Sequence, residues 1–128
     1  MLGHLGLLPQ SVKGKFKSKG KTTQEIKQLM SDALLLQKTG VFAIVLECVK
    51  TPIAKQITND LKIPTIGIGS SVHCDGQVLV TDDLLGLNET KIKFVKKYLN
   101  IKKYINLGLK KYASDVKSKK YPSKKHSY

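Results

Sequence analysis

The chain has 128 residues, enough for one ordinary domain but well short of the about 250 residues that a complete (β/α)8 barrel usually needs. Its apolar fraction of 41% is typical of a globular protein and excludes a disordered chain. The net charge of +14 is uneven, because residues 89–128 carry 13 Lys against two acids and residues 1–88 carry 10 Lys against seven.

All 23 basic residues are Lys, and there is no Arg. Arg is the side chain that binds phosphate or guanine through two parallel hydrogen bonds, so a dedicated nucleic-acid binder is disfavoured. Two interpretations of the charge stay open, a solvated Lys-rich surface or a polyanion-binding surface over residues 91–125. The first is favoured, and no nucleic-acid partner is expected.

The two cysteines, Cys48 and Cys74, form no C-x-x-C motif and indicate no disulfide framework, which favours a reducing compartment. No stretch of about 18 apolar residues occurs, so no membrane span is predicted. The first ten residues lack the charged start and long apolar core of a signal peptide. We therefore expect a cytoplasmic protein with no membrane partner.

The first third of the chain predicts a strand, a loop and a helix. Residues 3–8 are typical of a short strand, and the Lys- and Gly-rich residues 13–21 are typical of a loop. Thr22 and Glu25 form a capping box, in which the Thr22 hydroxyl accepts from the Glu25 backbone N–H and Glu25 reaches back. Gly40 is placed to end the helix that follows. The apolar residues at helical spacing are Ile26, Leu29, Met30, Ala33 and Leu36.

Three further strands are predicted along the middle of the chain, at 42–48, 65–69 and 77–81. Thr51 is expected to cap the helix after the first of them, with Pro52 at the first helical position. Apolar strands linked by helices predict a parallel sheet covered by helices, an α/β fold.

Two helices are predicted in the last third. Asn88 is placed to cap the first of them, and residues 118–128 form a polar Lys- and Ser-rich tail. The inward positions are Ile92, Val95 and Leu99 in the first helix and Ile101, Ile105, Tyr112 and Val116 in the second.

Alternation along the strand at 42–48 places a carboxylate, Glu47, on the face with the smaller side chains. Ala43 and Val45 share its face, and the opposite face carries Phe42, Ile44, Leu46 and Cys48. The next strand has the same alternation, and its small residues Thr65, Gly67 and Gly69 leave open space. Ligands of α/β proteins bind at the carboxyl ends of strands, where Glu47 lies. Glu47 is therefore a candidate site residue, with pairing to a nearby Lys as the structural alternative.

Other residues with reactive side chains give weaker signals. His4 lies near the end of the first strand, where a site role and a structural hydrogen bond are both open. Val-His-Cys-Asp at 72–75 contains metal-ligating residue types, but adjacent residues rarely converge on one ion, so no metal site is predicted. Gly-Ile-Gly-Ser-Ser-Val at 67–72 lacks the third glycine of a dinucleotide fingerprint. The acids at 82–83 end a strand and are interpreted as capping or loop residues.

Five segments follow one another in a recognisable order, and a sixth lies in the tail. They are GHLGLLPQS at 3–11, SDALLLQKTG at 31–40, VLECV at 45–49, IPTIGIGSS at 63–71, CDGQVLVTDDLLG at 74–86, and Tyr-Pro at 121–122 followed by Lys-Lys-His-Ser at 124–127. Together they closely resemble the ketopantoate hydroxymethyltransferase (3-methyl-2-oxobutanoate hydroxymethyltransferase) family over nearly the whole chain.

The resemblance implies a fold and an activity. It implies the C-terminal half of a (β/α)8 barrel of the phosphoenolpyruvate/pyruvate superfamily, with residues 1–117 as the last four strands and their helices and 118–128 as a Lys-rich tail. Such enzymes transfer a hydroxymethyl group from 5,10-methylenetetrahydrofolate to 3-methyl-2-oxobutanoate, which gives 2-dehydropantoate for pantothenate and coenzyme A biosynthesis. Mg²⁺ binds the keto acid, and members are cytoplasmic homo-oligomers, commonly decamers.

The resemblance also implies roles for two residues. The glutamate of VLECV is the family's general base, which makes Glu47 the base here, and the histidine of GHLGL, here His4, lies near the keto acid. The family's metal-binding acids lie on its first four strands, so the resemblance assigns no metal ligand to this chain. The loop at 12–21 is shorter than in the family and lacks its Gly-Gly-Tyr element, which implies an altered folate contact or loop closure.

Four strands do not close a barrel, so the resemblance leads us to expect a truncated, split or internally started gene and a chain that is inactive alone. The alternative is an inactive remnant or a docking partner of a full-length enzyme. The polyanion-binding surface over residues 91–125 is a third hypothesis.

Overall fold

The computed structural model describes residues 1–8, 17–89 and 91–128. The strands are β1 (Leu2–Gly6), β2 (Ala43–Glu47), β3 (Thr65–Ile68) and β4 (Gly76–Gln77), and the helices are α1 (Thr23–Lys38), α2 (Thr51–Asp60), α3 (Thr81–Leu84) and α4 (Ile101–Lys117), followed by a 3-10 turn at Lys124–His126. The chain divides into two compact units. The sheet unit comprises residues 1–79 and 92–95, and the C-terminal unit comprises 80–91 and 96–128.

The four strands form one sheet in the order β1-β2-β3-β4, and every neighbouring pair is parallel. The register pairs Gly6 with Glu47 and Glu47 with Ile68, so the carboxyl ends of three strands meet at one edge of the sheet. The connection from β1 to β2 and the connection from β2 to β3 each contain a helix, because parallel strands need a long connection. The predicted α/β fold with a parallel sheet is confirmed.

The core of the sheet unit lies between the sheet and its helices. Ile44 and Leu46 of β2 are fully buried and belong to one apolar cluster with Leu29 and Ala33 of α1. The other buried members of this cluster are Val41, Val49, Ala54, Ile57 and Cys74. Burial of a Leu or Ile side chain contributes about 1.5–3 kcal/mol, so this cluster fixes α1 and α2 on the sheet. Phe42, predicted to share this buried face, is 64% exposed, and it lies directly before the first residue of β2.

The predicted limits of α1 are confirmed at both ends. Thr22 accepts a hydrogen bond from the backbone N–H of Glu25 through its hydroxyl, at 3.1 Å. Glu25 reaches back to the backbone N–H of Lys21, at 2.8 Å, and this bond holds the pKa of Glu25 below its usual value. Gly40 has φ +82° directly after the helix, a conformation that glycine adopts without a steric cost.

Two predicted boundaries in the middle of the chain are wrong. Thr51 is the first residue of α2 rather than its cap, and its hydroxyl donates to the carbonyl of Ser70 at 3.2 Å, so Pro52 moves to the second position. In place of the strand predicted at 77–81, β4 comprises only Gly76–Gln77, and one further bond joins the backbone N–H of Val78 to the carbonyl of Gly67 at 3.0 Å. The acids at 82–83 lie in the first turn of α3 instead of at a strand end.

The helix predicted after Asn88 is also wrong. The segment at 91–100 contains turns and irregular backbone. The backbone N–H of Tyr98 donates to the carbonyl of Leu84 and that of Ile101 to Leu85, both at 2.9 Å, so long-range bonds replace helical ones there. Asn88 instead donates through its side chain to the buried Asp83 at 2.9 Å.

The last predicted helix is confirmed as α4, which Asn100 caps by accepting from the backbone N–H of Lys103 at 3.2 Å. No residue of α4 is buried. The inward direction predicted for Ile101, Ile105, Tyr112 and Val116 is therefore wrong, and these residues form, together with Tyr104 and Leu109, an unburied apolar stripe. In the part of the chain that the structure describes, no helix is long and apolar enough to cross a membrane. Residues 12–16 of the loop at 12–21 fall outside the described residues, and the division at residue 117 stays a prediction.

Candidate active site

Glu47 is the last residue of β2, at the edge where the carboxyl ends of the strands meet. It shares a face with Val45 and is only 9% exposed. Among the described residues, no Lys forms an ion pair with it. A buried carboxylate without a partner is costly, so its surroundings have to stabilise it. The pairing with Lys that the sequence left open is therefore replaced by another contact.

That contact is with His4. The Nε2 atom of His4 lies 3.1 Å from Oε2 of Glu47, and the two side chains are 32% and 12% exposed. In the register His4 is opposite Val45, so its side chain lies on the same face of the sheet as Glu47, one diagonal step away. The structure thus brings together the two site residues that the sequence predicted, an imidazole and a carboxylate from adjacent strands.

The third strand contributes apolar rather than open surface to this face. Ile66 and Ile68 are in register with Val45 and Glu47, whereas Thr65 and Gly67 are in register with the helix-facing Ile44 and Leu46. The open space predicted at Thr65, Gly67 and Gly69 is wrong, because the register of β3 turns the first two towards the helices, and a side chain, Phe94, packs against Gly69. The Glu47 carboxylate consequently lies beside isoleucine side chains.

Asp75 has a structural partner. Its Oδ2 accepts from the backbone N–H of Thr65 at 2.7 Å and from the Thr65 hydroxyl at 3.0 Å. The bond from the Thr65 backbone N–H holds the pKa of Asp75 below its usual value. Cys74 of the same segment is buried in the core cluster, and His73 is exposed. The side chains at 72–75 therefore have separate surroundings.

The residue that follows Glu47 has an unusual backbone. Cys48 has φ +53°, and Gly6, opposite Glu47, has φ +103°. Burial, and secondarily the charge of Glu47, raises the pKa of the Cys48 thiol. Sequence reasoning missed both positions, although the second glycine of GHLGL was a signal that β1 bends there.

The described residues do not fit a magnesium site. Mg²⁺ requires about six oxygen ligands in octahedral geometry. Across residues 1–8, 17–89 and 91–128, no group of three His, Cys, Asp or Glu side chains could hold a metal ion. Glu47 supplies one carboxylate here, and its Oε2 is already bonded to an imidazole. We assign no step of the chemistry to a metal held by these residues.

Fold and site together define a class, an α/β protein with a parallel sheet and a paired carboxylate and imidazole at the carboxyl ends of adjacent strands. The family model described as "Ketopantoate hydroxymethyltransferase" matches residues 1–124. The chain therefore belongs to the ketopantoate hydroxymethyltransferase family.

Curated relatives agree with this assignment. The 3-methyl-2-oxobutanoate hydroxymethyltransferase of Pelagibacter ubique (strain HTCC1062) is 59% identical over 128 residues, which are 100% of this chain and 49% of the relative. The enzyme of that name from Syntrophus aciditrophicus (strain SB) is 48% identical over 131 residues, 100% of this chain and 48% of the relative. That of Saccharolobus solfataricus (strain ATCC 35092) is 48% identical over 98% of this chain and 48% of the relative.

The chain spans about half the length of the curated relatives that it matches. That this share is the C-terminal half, as the resemblance implied, stays a prediction.

Proposed function

We propose that this chain supplies the general base of a 3-methyl-2-oxobutanoate hydroxymethyltransferase and that Glu47 is this base. The observation that carries the proposal is the nearly buried Glu47 carboxylate, held 3.1 Å from His4 at the carboxyl ends of two parallel strands. The relatives bear the name of this activity. A base must sit within hydrogen-bond reach of the proton that it removes, and this edge of a parallel sheet is where α/β proteins bind small ligands.

In the proposed reaction, Glu47 removes the proton from C3 of 3-methyl-2-oxobutanoate. The C3–H bond breaks, its electron pair forms the enolate, and the proton moves to the Glu47 carboxylate. The enolate carbon then forms a C–C bond to the methylene carbon of 5,10-methylenetetrahydrofolate. Both bonds from that carbon to the folate nitrogens break, water supplies the hydroxyl group, and the nitrogens take up the C3 proton and one proton of the water, so the products are 2-dehydropantoate and tetrahydrofolate. Ile68 is in register with Glu47, so the neighbouring strand places an apolar residue beside the proposed base.

His4 has a positioning role in this proposal, with a contact to the keto acid as well. Its imidazole can donate to Glu47 through Nε2 and thereby orient the carboxylate. Its side chain is 32% exposed, so one part of the ring stays accessible to a ligand at the strand ends. A ring that donates to Glu47 through Nε2 donates to a substrate carboxylate or ketone through Nδ1 only in its imidazolium form, in which both ring nitrogens carry protons.

The remaining features of the enzyme are proposed from family membership. The sheet forms part of a (β/α)8 barrel over residues 1–117, with 118–128 as a tail, and segments outside this chain close the barrel and supply the ligands of a Mg²⁺ ion. The assembled enzyme is a cytoplasmic homo-oligomer. The chain has no turnover alone, since the sheet formed by the described residues has two open edges, β1 and β4.

The experiment is complementation. The chain is co-expressed with the part of the Pelagibacter ubique relative that it does not match, and formation of 2-dehydropantoate from the two substrates is measured. We expect activity only from the pair. Glu47→Gln in the pair should reduce kcat by about 10²–10⁴-fold, the usual contribution of a general base.

Glu89→Gln is the matched control, because it is the same substitution at an exposed carboxylate, 81% exposed and paired with Lys102. It should leave kcat within about threefold of the parent, as a surface ion pair contributes little. Turnover by the purified chain alone, or equal losses in the two variants, would contradict the proposal.

The alternative function is docking of an inactive chain onto a full-length enzyme, and the unburied apolar stripe of α4 favours it. This alternative predicts that the chain co-purifies with the complete relative and adds no activity to its isolated complementary part. The complementation assay therefore separates the two functions.

A further inference from the structure

The backbone at the end of β2 is strained directly after the proposed base. Cys48 has φ +53°, a left-handed conformation that residues other than glycine rarely adopt. Such a residue persists where the surrounding structure enforces it, and such residues cluster at functional sites. Cys48 is also buried, so other residues of the protein, and not solvent, surround it and enforce its conformation.

The opposite strand has a matching irregularity at Gly6. Its φ of +103° already favours glycine, and it is in register with Glu47. A Cβ atom at Gly6 would lie 2.1 Å from the carbonyl oxygen of Glu47 and 2.9 Å from Cγ2 of Val49. Both distances are shorter than any real contact of a Cβ atom. Any side chain at residue 6 would therefore displace the backbone of Glu47.

Backbone hydrogen bonds from three separate segments hold the two peptide groups on either side of the Cys48 Cα atom. The carbonyl of Glu47 accepts from the N–H of Leu7 at 2.9 Å, and the N–H of Cys48 donates to the carbonyl of Ile68 at 2.9 Å. The carbonyl of Cys48 accepts from the N–H of Lys19 at 2.8 Å. The left-handed turn at Cys48 and the missing side chain at Gly6 allow these bonds to form together.

We infer that Gly6 and Cys48 are positioning residues for the Glu47 carboxylate and that both act through backbone conformation. This inference rests on the proposed role of Glu47 as the base. Gly6 lets β1 approach closely enough for His4 to reach Glu47, and the turn at Cys48 ends β2 so that the carboxylate stays at the edge of the sheet. The Cys48 thiol takes no part in the chemistry.

The first test compares two glycines with positive φ. Gly6→Ala introduces the clash with Glu47, whereas Gly40→Ala, at φ +82°, meets nothing within 4 Å and reproduces only the conformational strain. The readout is the ¹⁵N and ¹³C resonances of the His4 imidazole in the 128-residue chain, with Glu47→Ala as the reference for a lost contact. Gly6→Ala should move these resonances as far as Glu47→Ala does, and Gly40→Ala should leave them unchanged.

The second test compares two substitutions at residue 48 and stays informative if Gly6→Ala does not fold. Cys48→Gly tolerates φ +53°, and Cys48→Val disfavours it because its branched Cβ crowds the backbone. Cys48→Gly should keep the parent His4 resonances, and Cys48→Val should move them. In the complemented enzyme, Cys48→Val should lower kcat about 100-fold with KM within about threefold, the effect of a displacement near 1 Å.

The outcomes separate this inference from the proposed function. If complementation yields no transferase but the His4 resonances follow the expected pattern, the positioning stands and the proposed activity fails. Equal effects of Gly6→Ala and Gly40→Ala would overturn the role of Gly6. Equal losses in Cys48→Gly and Cys48→Val would overturn the backbone role of Cys48 and point to its thiol.

Discussion

Helices α1 and α4 are alike in sequence pattern and unlike in their surroundings. They have 16 and 17 residues, each has a side-chain cap, and each has an apolar stripe at helical spacing. α1 packs on the sheet and buries Leu29 and Ala33, whereas α4 buries no residue. The comparison teaches that an amphipathic pattern predicts that a helix forms, but the partner of its apolar face decides what that face stabilises.

The two units should differ most in the free energy of unfolding that is lost when a leucine is truncated in each. Leu46 in the sheet unit is completely buried, so Leu46→Ala should lower the free energy of unfolding by about 2–5 kcal/mol. Leu109 on the stripe of α4 is 60% exposed, so Leu109→Ala should change it by less than about 0.5 kcal/mol. Urea unfolding of the two variants, followed by far-ultraviolet circular dichroism, measures both values.

A loss of several kcal/mol in Leu109→Ala would mean that the stripe of α4 is covered in solution. Repeating the measurement over a range of protein concentrations then tests whether a second copy covers it, because stabilisation by association depends on concentration.

Strands β1 to β3 and helix α1 could be predicted from local signals. The capping box at Thr22 and Glu25, the glycine at residue 40 and the alternation at 43–47 each act within a few residues, so they can be read along the chain. The segment at 91–100 could not be predicted. Its spacing of apolar residues is helical, but long-range backbone bonds from Tyr98 and Ile101 to α3 and the residue after it replace helical ones.

The site was predictable to a similar extent. Alternation placed Glu47 at a strand end, and its position beside His4 follows from the parallel register. The face of Thr65 and Gly67 depended on the register between β2 and β3, which the sequence did not specify. The positive φ of Cys48 arises from three distant backbone partners and carries no sequence signal of its own.

Replacing one glycine of each unit by alanine should change the free energy of unfolding by a smaller amount, with opposite signs in the two units. Gly40 has φ +82° and Gly108 lies inside α4, and a Cβ atom at either position meets nothing within 4 Å. Gly40→Ala should cost about 1 kcal/mol because alanine disfavours positive φ, whereas Gly108→Ala should add about 0.5–1 kcal/mol because alanine favours the helix. Thermal unfolding of both variants gives the two signs, and a destabilising Gly108→Ala would contradict an unpacked α4.

The smallest expected effect is the pH dependence of the free energy of unfolding that arises from two carboxyl groups with lowered pKa values. The backbone N–H of Thr65 lowers the pKa of Asp75, and Lys102 lowers that of Glu89. Because each pKa is lower in the folded state, each group adds stability above its ordinary pKa, and this stability is lost as the pH falls through the folded-state pKa. The free energy of unfolding should therefore decrease with acid below about pH 4.

Salt distinguishes the two carboxyl groups. The contribution of Glu89 should decrease in concentrated salt, because Glu89 and Lys102 are surface charges. The contribution of Asp75 should persist, because hydrogen bonds from Thr65 cause it. Acid titrations of the unfolding free energy in Asp75→Asn and Glu89→Gln, at low and high salt, measure the two contributions. Equal salt sensitivity would show that Asp75 is also governed by surface charge.

The strand order of the sheet has a consequence for how the chain folds. Each strand pairs with the one before it, and the separation between partners shortens along the chain, from Gly3 with Ile44 to Ile44 with Thr65 and Ile66 with Gly76. Closing a shorter loop costs less entropy, so we expect β2, β3 and β4 to associate first and β1 to join them last. His4 arrives with β1, so the imidazole meets its carboxylate only at the last step of sheet assembly.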